Sequence, residues 1–180
     1  AGARQENADR PLALILGQGL QKIVDRPALR AWLRVIEGQR ARLGGDTVGA
    51  ESSLETALRL SRAVASGVAA LAELEQARLL IDTGAWGEAA GVLAGLDTLT
   101  RERRRLTLRV EVLAASALVQ VQREESPVAT LDELGVLLER TRVRHPFIAE
   151  ALEWAAAEVS GELAQRLAAL AEGQRTAPGR

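Results

Sequence analysis

The chain has 180 residues, 23 Lys plus Arg against 24 Asp plus Glu, a net charge of −1 and no Cys. A chain of this length suits one domain that buries roughly two thirds of the surface its unfolded form would expose, and the lack of Cys excludes disulfides and thiolate metal sites. The balanced charge leaves no electrostatic footprint for nucleic acid or an anionic membrane, so neither is expected as a direct partner.

The polar ends, residues 1–10 and 173–180, read as disordered tails around a single helical domain over residues 11–172. The aromatic residues are limited to Trp32, Trp86, Trp154 and Phe147, and Ala, Leu, Arg and Glu dominate, which predicts an all-α fold. Start and stop signals place helices at 11–24, 27–43, 47–64, 68–83, 86–96, 100–122, 127–141 and 146–171. Pro11, Pro27, Pro127 and Pro146 sit where a helix begins, since the missing proline N–H costs nothing there. Asp25 and Ser126 read as N-caps, and Gly44-Gly45, Gly84 and Gly173 as stops.

The apolar run Leu12 to Leu16 in the first segment is far shorter than the ~20 residues a membrane span requires. Gly17-x-Gly19 then opens like a dinucleotide fingerprint. Lys22 stands where the third Gly belongs and no alternating strands follow, so the segment reads as a packing helix with two tolerated glycines. Lys22 precedes Ile23, not Ser or Thr, which excludes a P-loop.

The helix over 100–122 carries two apolar stripes on opposite sides. Leu106, Val110, Leu113, Ala117 and Val121 form one, and Leu108, Val112, Ala115 and Val119 the other. Such a helix needs neighbours on both flanks, as in a stacked array. The final segment carries Ile148, Leu152, Ala155, Val159, Leu163, Leu167 and Leu170 at steps of three and four, which predicts one helix running through Ser160-Gly161.

A shift of 39 positions superimposes Gly45 on Gly84, Ala50 on Ala89 and Leu54 on Leu93, puts Gly38 on Ala77 and Ala57 on Leu96. The shared residues are those of a helical hairpin: a small residue lets the second helix approach, Gly makes the turn, and Ala then Leu point inward. A third, degenerate copy is expected around 106–141, with Thr130, Leu131, Leu134, Leu137 and Leu138 supplying its inward face.

This pattern resembles the tetratricopeptide repeat, through Gly38, Gly45-Asp46, Ala50, Leu54 and Ala57-Leu58 in one copy and Gly84, Glu88-Ala89 and Leu93 in the next. It departs from that family in its period and in placing Ala41 and Leu80 where aromatics are usual. The resemblance implies a right-handed α-solenoid of stacked antiparallel hairpins. The long period, over residues 26–141, is also similar to the repeat region of large ATP-dependent LuxR-type regulators of the maltose-activator class, which implies an effector-sensing or docking segment of a larger protein.

No catalytic constellation emerges. His145 is the single His, so no two-His metal pair exists, and it reads as a loop residue before Pro146. Ser116 has no nearby base in sequence, and Glu73 and Glu75 read as solvated surface. Arg101 to Arg105, with Arg109 beyond, is the densest charge cluster and reads as a solvated or salt-bridged helix start. The chain is thus expected to be a non-catalytic scaffold binding a protein or peptide, without metal or cofactor; the alternative is an effector-sensing domain taking a small molecule. The cytoplasm is the expected compartment, with the periplasm left open. By the resemblance, the first helix of each hairpin lines a concave groove, which implies Trp32, Gln39, Arg42, Arg78 and Asp82 as partner contacts; Trp32, Gln39 and Arg42 also share one helix face by spacing.

Overall fold

The computed structural model describes residues 26–62 and 66–175. Among them are eight α-helices and no strand: α1 Pro27–Leu43, α2 Thr47–Ser61, α3 Ser66–Asp82, α4 Trp86–Glu102, α5 Leu106–Gln122, α6 Val128–Thr141, α7 Pro146–Ala157 and α8 Gly161–Arg175. The helix expected over 11–24 and the cap expected at Asp25 lie outside the described residues. No helix among those described is long and apolar enough to cross a membrane.

The helices come as pairs whose first members start at Pro27, Ser66, Leu106 and Pro146, spaced by 39, 40 and 40 residues. The turns inside the first three pairs share one backbone device. Gly45, Gly84 and Glu124 take the left-handed conformation, with φ of 78°, 74° and 58°. In each, the next N–H reaches a carbonyl five residues back: Asp46 to Ala41 at 2.9 Å, Ala85 to Leu80 at 2.8 Å and Glu125 to Gln120 at 2.8 Å. This Schellman-type closure satisfies helix-end carbonyls and suits Gly, which has no Cβ to clash. The third turn performs it with Glu124, at a steric cost of about 1–2 kcal/mol. Glu124→Gly is therefore expected to stabilise the chain by about 0.5–1 kcal/mol, after the added entropy of the unfolded glycine is deducted. Urea unfolding measures this, and an unchanged or lower midpoint contradicts it.

Contacts divide the chain into two compact units, with the boundary between Glu75 and Gln76 inside α3. In the first unit, α1 packs on α2. The contact is closest at Gly38, where a Cβ would lie 2.7 Å from Leu54 Cγ and 2.8 Å from its Cδ2. Val35, Ala57 and Ala72 form a core cluster with Leu58 and Val68 packed against it. The Asp46 carboxylate caps α2, accepting from the Gly49 N–H at 2.9 Å.

The second unit is organised around α5, which packs on α4, α6 and α7, while α8 lies against α7 and touches α6. The two-sided character expected of this helix is observed: Val110, Leu113 and Ala117 are buried on one side, Val112, Ala115 and Val119 on the other. Buried Ala89, Leu93 and Leu96 repeat the inward pattern of Ala50, Leu54 and Ala57. Of the five residues expected to face inward in the third pair, Leu131, Leu134 and Leu137 are buried and Thr130 and Leu138 half-buried.

Four expectations are corrected. The final segment is two helices, not one, because Gly161 adopts φ 71° and breaks the ladder, letting α8 fold back onto α7. The helix expected at 86–96 continues to Glu102, and the one expected from Thr100 starts at Leu106. Thr100 is fully buried, its hydroxyl donating to the Asp97 carbonyl at 3.0 Å, and the turn comes at Arg103–Arg105 with Arg104 at φ 52°. Arg101 thus closes α4, where positive charge complements the helix dipole, and the arginine cluster does not start a helix. The α6 cap position is Pro127, with no side-chain cap bond from Ser126.

Candidate functional site

The residues proposed from the resemblance divide between the two units. In the first, Trp32 is 44% exposed on α1 and Gln39 is half-buried. Arg42 Nε pairs with Glu75 Oε2 at 3.3 Å, with both side chains nearly buried. Glu75 is therefore the anchor of an interhelical ion pair, not solvated surface. Glu73, on the same helix, has its carboxyl pushed above the usual range by burial, an effect that the positive charge of Arg62 partly offsets.

In the second unit, Asp82 is exposed at the end of α3, and Arg78 is buried. The Arg78 guanidinium pairs with Glu111 of α5 and lies over the Phe147 ring of α7, 3.8 Å from its centroid. One side chain thus ties the first helices of three successive pairs by charge and by cation–π stacking. Both arginines of the expected set are engaged within the chain, in ion pairs that each span 33 residues. His145 caps α7, its Nδ1 accepting from the Phe147 N–H at 3.2 Å. Among the described residues, no group of three or more His, Asp or Glu is placed to hold a metal ion.

The concavity that the sequence did not reveal lies on the other side of α5. Helices α4 and α6 both pack on α5 but not on each other, leaving a groove of about 630 Å³ between them. Its floor is α5, through Leu113, Ser116, Val119 and Gln120. One wall is the small-residue face of α4 (Gly87, Ala90, Gly91 and Ala94) and the other is Ala129, Thr130 and Glu133 of α6. From Gly87 to Arg101 the groove follows α4 for about 20 Å at 1.5 Å per residue.

Charge closes one end. Asp97 and Arg101 of α4, Arg109 of α5 and Glu133 of α6 form a ring: Arg101 bonds Asp97 at 2.9 Å and Glu133 at 2.7 Å, and Arg109 bonds Asp97 at 3.1 Å and also Glu133. The ring straps α4 to α6 across the gap and uses the arginines as the salt-bridged reading expected. At the far end Arg123 pairs with Glu125 at 2.9 Å. On the floor, the Gln120 amide oxygen is buried and has no hydrogen-bond partner among the described residues. Such an acceptor costs about 1–3 kcal/mol until a donor reaches it. The signal for this wall was present in "GEAAGVLAG", whose small residues are more numerous than hairpin closure requires.

No known protein family, curated protein or solved structure matches the chain.

Proposed function

We propose that the chain is a non-catalytic, tetratricopeptide-like binding module whose docking site for a protein segment is the groove between α4 and α6. The observation that carries this reading is the groove itself. It is a preformed concavity flanked by two helices that share a floor, with a wall of small side chains that lets a backbone approach closely. Its length suits an extended segment of about six residues. Ion pairs at both ends supply polar selectivity between apolar surfaces, the usual division of labour in a binding site. The 39 and 40 residue spacing of the helix pairs supports a repeat array as the scaffold.

The test exploits two glycines whose added Cβ would meet nothing within 4 Å: Gly91 in the groove and Gly173 on α8, away from it. Peptides selected from a random library on the full chain should lose at least about tenfold in affinity, or 1.4 kcal/mol, on Gly91→Trp. Gly173→Trp should leave them bound. Undiminished binding to Gly91→Trp rejects the groove.

The volume of about 630 Å³ also lies within the range of small-molecule sites, which favours the effector-sensing reading as the second. In that reading the chain is the sensor segment of an ATP-dependent transcription regulator, and the parent gene encodes NTPase and DNA-binding modules. A parent gene without them sinks it.

A further inference from the structure

The ring at the end of the groove uses each carboxylate oxygen once. Arg101 donates from Nε to Asp97 Oδ2 at 2.9 Å and from Nη2 to Glu133 Oε2 at 2.7 Å. Arg109 donates from Nε to Asp97 Oδ1 at 3.1 Å and from Nη2 to Glu133 Oε1. Each guanidinium thus presents one rigid edge, and each carboxylate divides its two oxygens between the arginines. The Nε and Nη2 atoms of a guanidinium stand at a fixed separation in one plane, so two such edges fix the distance between the carboxylates they bridge. Those carboxylates belong to opposite walls, Asp97 to α4 and Glu133 to α6. Among the described residues the two walls do not pack on each other, so packing on α5 leaves their separation open and the ring supplies it.

We propose that the ring is the gauge of the groove: Arg101 and Arg109 are positioning residues that hold α4 and α6 at the separation a docked segment requires. The effect on docking rests on the function proposed above, and the effect on wall spacing does not. The two arginines divide the task. The Arg109 side chain is 11% exposed and rises from the floor helix, so it anchors both walls to α5. The Arg101 side chain is 54% exposed and reaches directly from one wall to the other, where salt screens it. Weakening Arg101 therefore loosens the walls while Arg109 keeps them on the floor. The affinity of the groove for an uncharged segment falls as salt rises, although salt does not weaken apolar burial itself.

The chain has no Cys, so Gly95→Cys on α4 and Val136→Cys on α6 carry two spin labels without background, at exposed positions outside the groove. A Cβ at Gly95 meets nothing within 4 Å, and Val136 is 64% exposed. Pulsed dipolar spectroscopy on the full chain should give one narrow distance distribution. Arg101→Gln and Arg101→Lys should both broaden it, because lysine keeps the charge without the two-pronged edge. Arg109→Lys should broaden it further; if that variant fails to fold, the two Arg101 variants decide. Peptides selected on the full chain and lost on Gly91→Trp should bind Arg101→Gln about fivefold more weakly. Raising salt from about 0.1 M to about 1 M should weaken them on the unmutated chain and hardly change them on Arg101→Gln. An unchanged distance distribution in the arginine variants overturns the proposal, as does full recovery by Arg101→Lys. So does a broadened distribution that leaves the affinity of those peptides unchanged. Peptides that ignore Gly91→Trp reject the docking site instead, and the wall distances still decide the gauge.

Discussion

Arg78→Ala is expected to destabilise the chain by about 3–5 kcal/mol, the cost of breaking a buried ion pair by removing one partner. Arg78 is 4% exposed, and its partner Glu111 has a side chain 14% exposed, so the abandoned carboxylate stays in surroundings that water barely reaches. The same substitution removes the plane that stacks on Phe147 and leaves a void among three helices. Arg78→Lys should recover only part of the loss, because an ammonium reproduces the charge but not the flat fork that stacks and pairs at once. Replacing the pair by Arg78→Met with Glu111→Leu should recover most of it, since apolar substitutes of similar volume remove the stranded charge. Denaturant midpoints of the three variants check the series, and a loss below about 1 kcal/mol for Arg78→Ala would show that the pair is solvated. A partner-capture assay with Arg78 reversed in charge would therefore report loss of folding as much as loss of a contact.

Gly38→Ala should also destabilise, by about 1–3 kcal/mol, although alanine is the better helix former by about 1 kcal/mol. The added Cβ would stand 2.7 Å from Leu54 Cγ, and Leu54 is only 1% exposed, so the side chain has little room to yield. Leu54→Ala alone should cost about 2–5 kcal/mol by opening a cavity. Combined, the two should cost less than their sum, because the new methyl enters space the leucine vacated and the helix propensity is gained. The sign of that coupling is the result to read from a double-mutant cycle. Additive losses would mean that Gly38 is small for a reason other than close approach of α2.

The hairpin logic was legible in the residues because its causes are local. Proline starts, glycine turns with positive φ and the two-sided stripes of α5 each follow from the chemistry of single positions or of one helix. The break at Gly161 escaped because the apolar steps of three and four continue across it. Periodicity alone cannot distinguish one long helix from two helices whose faces meet after a reversal. The turn at Arg103–Arg105 escaped for a related reason. It uses Arg104, not Gly, at positive φ, and the last turn of α4 is held by buried Thr100 and by Arg101 at the favourable end of the dipole.

The candidate site was legible only in fragments. Arg42 and Arg78 stand out in a pattern of variable positions, but their carboxylate partners lie 33 residues away, and only the packing of successive first helices brings them together. Glu75 accordingly read as surface while serving as an ion-pair anchor. The groove depends on the separation of α4 and α6, which are joined by the Arg101–Glu133 ion pair at one end, and no spacing within either helix announces it. What the sequence does hold is its wall, in the unusually small face from Gly87 to Ala94.

Amide shift mapping of a selected peptide bound to the full chain tests the central claim most directly. The account predicts perturbations along Gly87, Gly91 and Ala94 of α4, Gln120 of α5 and Ala129 and Thr130 of α6. Perturbations confined to Gln39, Arg42, Arg78 and Asp82 would contradict it and return the docking face to the first helices of the pairs.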